Sequence, residues 1–166
     1  MADSLERFKQ AQADPTTGIQ SALRELRAGR KRGHWIWYVF PQLSGLGQSA
    51  ISMRYGLNGV DEADAYLRDE ELRGTLLAAA EAVARHLRSA NAPLAAVMGS
   101  EIDAVKLVSS MTLFRAIADR LVAGAPADAR ETLSAIRRHA DAILRVAAAQ
   151  GYPPCAFTLQ RLSSEA

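Results

Sequence analysis

Apolar residues recur at three- and four-residue spacing along most of the chain, which is the period of one face of an α-helix. Capping residues before these stripes, and glycines and prolines after them, mark where helices begin and end. Asp14 and Pro15 separate the first two stripes, and Gly29 ends the second. The predicted helices cover residues 5–12, 19–28, 35–40, 49–57, 61–66, 72–87, 93–98, 103–121, 133–147 and 157–162.

Two of these predictions rest on local arguments. Residues 35–40 are apolar on every side, so periodicity cannot distinguish a buried strand from a buried helix. The chain has no second strand-like run, and a lone strand would leave its backbone groups unpaired, so we predict a short buried helix that Pro41 stops. Asp61 and Glu62 are predicted to cap the helix that carries Ala65 and Tyr66.

Composition supports an all-α fold. The 166 residues are 49% hydrophobic and 23% charged, which is an ordinary composition for a globular protein. The apolar residues are mostly Ala and Leu, which favour helix over strand. A chain of this length can bury a real core. We therefore predict a compact single-domain multi-helix array over residues 1–166, with a tail at 163–166 that could be flexible.

Charge, cysteine content and hydropathy limit the environment and the partners. The formal net charge is only +2, so a polyanion would have to be met by a local patch. Cys155 is the single cysteine, which excludes an internal disulfide and favours a reducing cytoplasm. The first residues lack the apolar core of a signal peptide, and no run of eighteen apolar residues predicts a membrane span, so no membrane partner is expected.

The helix predicted over 103–121 carries polar groups inside its apolar face. On a helical wheel Asp103, Lys106 and Ser110 fall among the residues that should be buried. Burying them costs free energy unless they pair with one another, with other side chains or with a ligand. Two interpretations remain open: a structural network in which Asp103 pairs with Lys106 and Ser110 bonds back to the helix, or a pocket wall that meets an anionic ligand.

The segment 25–49 combines both tryptophans with a cluster of cations and His34. His34 could be a boundary residue held by hydrogen bonds, or it could act as an acid, a base or a donor to a phosphate. No second His or Cys stands at metal-ligand spacing, so neither a metal nor another cofactor is predicted. The cations near Trp35 and Trp37 also permit single-stranded nucleic-acid binding, although these aromatics lie in an apolar run typical of a core.

The two segments together carry a recognisable pattern. It reads Glu25-Leu26-Arg27-x-Gly29-x-Lys31-x-x-His34-Trp35-x-Trp37-x-x-Phe40-Pro41-Gln42-Leu43-x-Gly45-Leu46-Gly47-x-Ser49, followed by Asp103-x-x-Lys106-Leu107-x-Ser109-Ser110-Met111-Thr112-Leu113-Phe114. In this the chain resembles the uncharacterised bacterial family catalogued as domain of unknown function 1810. The resemblance implies a mainly helical fold and no established activity. Members often carry a calpastatin-like description, which fits poorly because calpastatin inhibitor segments are disordered. Residues 147–159 depart from the family pattern.

These observations lead to a functional hypothesis with alternatives. We expect a small anionic metabolite to bind between the 25–49 block and the 103–121 helix, and to be turned over there if the protein is an enzyme. The alternatives are a non-catalytic protein-interaction module and, more weakly, a single-stranded nucleic-acid binder; oligomeric state is not indicated. The candidate catalytic residues are His34, Asp103 and Lys106. The candidate ligand-binding residues are Arg27, Lys31, Trp37, Gln42 and Ser110.

Overall fold

The computed structural model describes residues 2–166, with side chains from Ser4 onward. These residues form ten α-helices, and their only β-type pairing is an isolated bridge between Leu43 and Leu57. The helices are α1 (Ala2–Ala13), α2 (Ile19–Arg27), α3 (Ile36–Val39), α4 (Ala50–Tyr55), α5 (Gly59–Arg68), α6 (Glu70–Ala90), α7 (Leu94–Met98), α8 (Glu101–Val122), α9 (Ala127–Ala149) and α10 (Ala156–Ser164). The all-α prediction is confirmed.

The long helices surround α8. It packs along α9 and also contacts α5, α7, α10 and the short α3, while α6 packs against α9 and α2. An aromatic chain links α8 to the amino-terminal helices: the Tyr66 ring lies 5.1 Å from Phe114, and the Phe8 ring meets Tyr66 edge-on at 5.3 Å. All three rings are fully buried, so one core joins both halves of the chain.

Local signals in the sequence set several helix ends. Ser49 and Ser100 cap α4 and α8, since their hydroxyls accept hydrogen bonds from the backbone N–H groups of Ser52 and Asp103. The helix predicted over 35–40 is present as α3, buried on its Ile36, Tyr38 and Val39 side chains. Among the described residues, no helix is both long and apolar enough to cross a bilayer.

The predicted cap of α5 is correct only in part. The helix begins at Gly59 after Asn58, so Asp61 and Glu62 lie inside its first turn. Glu62 is 3% exposed because it pairs with Arg7 of α1, whose Nη1 lies 2.8 Å from Glu62 Oε1 and whose Nη2 lies 3.1 Å from Oε2. Glu62 also accepts a hydrogen bond of 2.7 Å from the backbone N–H of Asn58, so it caps the start of α5 and is at the same time half of a buried ion pair joining α1 to α5.

Residues 163–166 include the end of α10. The carboxylate of Glu165 accepts a hydrogen bond of 2.8 Å from the backbone N–H of Val60 in the first turn of α5. Arg120 of α8 donates to the carbonyl of Leu162 at 3.0 Å. The carboxyl-terminal helix is thus tied to both α5 and α8.

Candidate functional site

The loop between α2 and α3 is held against the turn that joins α7 to α8. The backbone N–H of Lys31 donates to the carbonyl of Val97 at 2.8 Å. Gly99 ends α7 with φ of 80°, and a Cβ there would lie 2.6 Å from the carbonyl oxygen of Lys31. Only glycine permits both this left-handed backbone and this close approach. The turn therefore places Lys31 beside the first turn of α8.

Glu25 of α2 organises the same loop from the other side. Its Oε2 accepts hydrogen bonds from the backbone N–H of Arg32 at 2.7 Å, from that of Gly33 at 2.9 Å and from the Trp35 indole N–H at 2.8 Å. Burial raises the pKa of the Glu25 carboxyl, but these hydrogen bonds and the charge of Lys31 outweigh burial and lower the pKa below its ordinary value. Glu25 is thus an ionised anchor of the loop.

At the meeting point, two lysines share one carboxylate. Lys31 Nζ lies 2.7 Å from Asp103 Oδ2, and Lys106 Nζ lies 3.1 Å from Asp103 Oδ1. The side chains of Lys31, Asp103 and Lys106 are only 5%, 15% and 20% exposed. We call these three residues the lysine cluster. With both lysines and the aspartate ionised, these three side chains carry an excess of one positive charge, which the ionised carboxylate of Glu25 partly offsets on the Lys31 side.

Each lysine also lies over a tryptophan. Lys31 Nζ is 5.1 Å from the Trp35 ring centre, and Lys106 Nζ is 4.4 Å from that of Trp37. Lys31 donates in addition to the carbonyl of Gly33. The negative face of an indole stabilises an ammonium that has lost water, so the two rings offset part of the cost of burial. The aromatic run of 35–40 therefore supports the cluster as well as the core.

Two hydrogen-bonding groups next to the cluster are buried without a partner among the described residues: the indole Nε1 of Trp37 and the hydroxyl of Ser110. Ser110 is fully buried one turn along α8 from Lys106, and it lacks the bond back to the helix that one interpretation expected. Its neighbours Ser109 and Thr112 do make such bonds, to the carbonyls of Val105 and Val108. Unused hydrogen-bonding capacity is uncommon in a protein interior.

The structure brings together only part of the candidate set. Lys31, Trp37, Asp103 and Lys106 are in direct contact, and Ser110 lies one turn away. The other three candidates have different surroundings.

His34 is exposed and makes no hydrogen bond or ion pair within the part of the chain that the structure describes. Gln42 is buried, and its backbone carbonyl accepts from the N–H of Leu57 at 3.0 Å. Arg27 is exposed and lines a separate cavity of about 400 Å³ with Glu81, Arg85 and His86. Its position near a helix end is explained by the helix dipole.

The surface beside the lysine cluster is positively charged. An open depression of about 520 Å³ is lined by Arg30, Lys31, Arg32 and Gly99, and both arginines are exposed. A negatively charged molecule that approaches the cluster from this side is attracted by all three cations. Among the described residues, no group of three or more His, Cys, Asp or Glu side chains is placed to hold a metal ion.

Glu25 is the residue of this site whose role the sequence analysis missed. It stands in the motif, but it lies seven to ten residues before the groups it binds. No helical or strand spacing predicts that contact, because the intervening loop is irregular. The charge pair between Lys31 and Asp103 was missed for the same reason, whereas Asp103 and Lys106 share a helix at a spacing that predicts their contact.

Comparison with known proteins agrees with the motif. The family described as "Protein of unknown function (DUF1810)" matches residues 2–126. The crystal structure of the conserved hypothetical protein Rv1873 from Mycobacterium tuberculosis is similar at 36% sequence identity and a TM-score of 0.65, covering 91% of this chain and 99% of that one. Among curated proteins no match is found. The predicted resemblance is confirmed, and the chain belongs to the DUF1810 family of proteins of unknown function.

Proposed function

We propose that this protein binds a small anionic metabolite at the lysine cluster, between the 25–49 block and α8. The observation that carries the proposal is that two largely buried ammonium groups share a single carboxylate. Glu25 lies close enough to Lys31 for their charges to interact, so the charge without a full counter-charge is that of Lys106, and a bound anion would relieve the cost of burying it. A carboxylate or phosphate group supplies the missing negative charge.

Lys106 is the residue that would receive the anion. An ammonium has three N–H donors, and Lys106 makes one hydrogen bond, to Asp103, while it rests on Trp37. Lys31 is more completely used, because it bonds both Asp103 and the carbonyl of Gly33. In this proposal Lys31 holds Asp103 in place, and Asp103 aims Lys106 at the ligand.

The unpartnered groups beside Lys106 define what else a ligand could offer. The Trp37 indole needs an acceptor, and the Ser110 hydroxyl can use an acceptor or a donor. A ligand with hydroxyl or carbonyl oxygens next to its anionic group would satisfy them after a small opening between α3 and α8. Turnover would in addition require His34 to act as acid or base from its exposed loop position. Arg27 and Gln42 are left out of this site, and a reducing cytoplasmic location stays part of the proposal.

The proposal is tested with Lys106→Met. Methionine keeps the apolar contact with Trp37 and removes the charge. Inorganic phosphate, citrate and AMP serve as probes in thermal-shift titrations. We expect at least one of them to raise the Tm of the parent protein, and Lys106→Met to abolish that rise while its circular dichroism spectrum stays helical.

Lys9→Met is the matched control, because Lys9 also pairs with an aspartate, Asp69, at 2.7 Å on a different face. This variant should keep the response to the anion. The proposal fails if none of the three probes shifts the parent, or if Lys106→Met responds as the parent does.

A protein-interaction role is the second candidate, and one observation favours it. Ile102 and Val105, which flank Asp103 on α8, are 70% and 52% exposed. Neighbouring exposed aliphatic side chains are one component of a contact surface. The double variant Ile102→Ser with Val105→Ser separates the two roles. If the site binds a small anion, this variant should keep the anion-induced rise in Tm. Loss of that rise in this variant would favour an interaction surface that shares the cluster.

Nucleic-acid binding has less support from the geometry. Base stacking needs an accessible aromatic face. Trp35 is 1% exposed, and the Trp37 ring is covered by Lys106. Single-stranded oligonucleotides that bind with a steep salt dependence would nevertheless revive this alternative.

A further inference from the structure

Arg73 of α6 is a buried arginine without an acidic partner. The residue is 6% exposed, and within the part of the chain that the structure describes no carboxylate lies at ion-pair distance from it. Its two hydrogen bonds both come from Nη1, to the carbonyls of Leu67 at 3.1 Å and Arg68 at 3.2 Å. These carbonyls end α5, so the guanidinium meets only the partial negative charge of a helix terminus.

The other edge of this guanidinium is unused. Nε is buried and has no hydrogen-bond partner in the described chain. Nε and Nη2 together form the planar fork with which arginine holds a carboxylate through two parallel hydrogen bonds. A buried donor left without an acceptor costs free energy, and an unpaired buried charge costs more.

Arg73 also lines a cavity of about 380 Å³ between α5, α6 and the turn from α8 to α9. A volume of this size is within the range of small-molecule sites. One wall is apolar and is formed by Leu67, Leu121, Ala125, Pro126, Ala129 and Leu133, whereas Arg68, Glu70 and Arg120 line the rest of the cavity with Arg73. Leu133 is 2% exposed and Leu121 is 9% exposed, so the deep wall belongs to the hydrophobic core.

We infer that this cavity is a second binding site, for a small carboxylate with an apolar tail. The tail lies against the leucine and alanine side chains, and the carboxylate pairs with the free edge of Arg73. The two arginines at the rim of the cavity attract the ligand's carboxylate less strongly than Arg73 does, because both already have partners. Arg68 pairs with Asp64, and Arg120 bonds the carbonyl of Leu162. An apolar wall with one planar guanidinium suits a monoanion better than a phosphate, which needs more donors.

Glu70 is the internal competitor for this position. It lies on the rim of the same cavity, three residues before Arg73 on α6, and its side chain is exposed and unpaired in the described structure. A carboxylate at this spacing can approach the arginine when the cavity is empty. Neutralising it should therefore favour an external carboxylate. This site shares no residue with the lysine cluster, so each proposal can fail without the other.

Isothermal titration with octanoate tests the inference, and octanamide is the uncharged match. We expect octanoate to bind about tenfold more tightly than octanamide, since only the carboxylate can form the charged pair. Ala125→Phe, which adds bulk at a lining residue that makes none of the hydrogen bonds to the α5 carbonyls, should abolish octanoate binding. Glu70→Gln should strengthen it severalfold.

The inference is overturned if octanoate does not bind, if octanamide binds equally well, or if Ala125→Phe still binds octanoate. Arg73→Met should bind octanoate no better than octanamide. If this variant keeps the full preference for octanoate over octanamide, the inference is also overturned. Because Arg73→Met removes hydrogen bonds to α5 and could unfold the protein, Ala125→Phe and Glu70→Gln keep the test decisive. Lys106→Met should bind octanoate as the parent does.

Discussion

Asp103 is the residue on which the stability of the lysine cluster depends. It is the shared partner of two ammonium groups, one of which, Lys31, is only 5% exposed. Asp103→Asn would leave that ammonium buried with no carboxylate in ion-pair contact, since Glu25 acts on it only from a greater distance. We expect the free energy of unfolding to fall by about 3 kcal/mol, the usual effect of removing one member of a buried pair. Urea denaturation at pH 7 measures this change.

Asp141→Asn is the matched control, since it breaks a pair of similar length at the surface. Arg115 and Asp141 are 2.9 Å apart, but their side chains are 44% and 41% exposed. Solvent screens such a pair, and its loss should lower the free energy of unfolding by less than about 1 kcal/mol. If Asp103→Asn and Asp141→Asn lower the free energy of unfolding equally, burial does not determine how much the lysine cluster contributes to stability.

Glu25 makes stability depend on pH through its lowered pKa. Burial raises that pKa, but hydrogen bonds to the carboxylate lower it in the folded state below the ordinary value of 4.5. The stabilisation is therefore fully present above pH 4.5, and it is lost as pH falls through the folded pKa. Glu25→Gln should cost about 1–2 kcal/mol at pH 7, because charged hydrogen bonds are replaced by neutral ones.

Urea unfolding of the parent and of Glu25→Gln between pH 7 and pH 3 checks this prediction. The difference in unfolding free energy should shrink below pH 4.5 and vanish once Glu25 is protonated in both states. A difference that stays constant down to pH 3 would mean that the charge of Glu25 does not contribute.

Among the elements, the turn between α7 and α8 is the one that positions the site. Gly99 combines a φ of 80° with contact to the Lys31 carbonyl. In Gly99→Ala, holding alanine in the left-handed backbone conformation costs about 1 kcal/mol, and the new Cβ clashes with the backbone carbonyl of Lys31. We expect a loss of more than about 2 kcal/mol in unfolding free energy. We also expect faster hydrogen exchange at the Lys31 N–H, which donates to Val97.

Gly74→Ala provides the opposite case within a helix. Gly74 lies in α6, and a Cβ there would meet nothing within 4 Å. Alanine should stabilise the protein by about 0.5–1 kcal/mol, because glycine loses more backbone entropy on folding. If Gly99→Ala and Gly74→Ala shift Tm in the same direction, the turn between α7 and α8 does not require glycine at position 99.

The elements were predictable from sequence to a greater degree than the contacts between them. Periodicity and Pro41 predict helices that the structure contains, since these are local effects. Glu62 caps α5 through the Asn58 N–H, but its burial against Arg7 was not predicted, because Arg7 is far away in sequence. The helical wheel found Asp103 and Lys106, but Lys31 reaches them only through the folded loop.

At the scale of the whole molecule, the matched family region and the folding unit differ. The family match covers residues 2–126, which ends just before α9. Yet α9 packs along α8 and α6, the two other long helices of the fold. Its Leu133, Ile136 and Ile143 are each at most 2% exposed. The first 126 residues therefore lack part of the core that surrounds α8.

We therefore predict that a chain ending at residue 126 does not fold cooperatively. Loss of three buried aliphatic side chains removes about 5–9 kcal/mol of burial free energy, which is comparable to the whole net stability of a typical domain. Near-ultraviolet circular dichroism should lose its fine structure, and urea unfolding should lose its sigmoidal transition.

A chain ending at residue 154 is the control: it lacks α10, whose buried residues are only Thr158 and Leu162, so it should unfold cooperatively at a lower Tm. Cooperative unfolding of the shorter chain would instead show that α9 and α10 are additions to an autonomous unit.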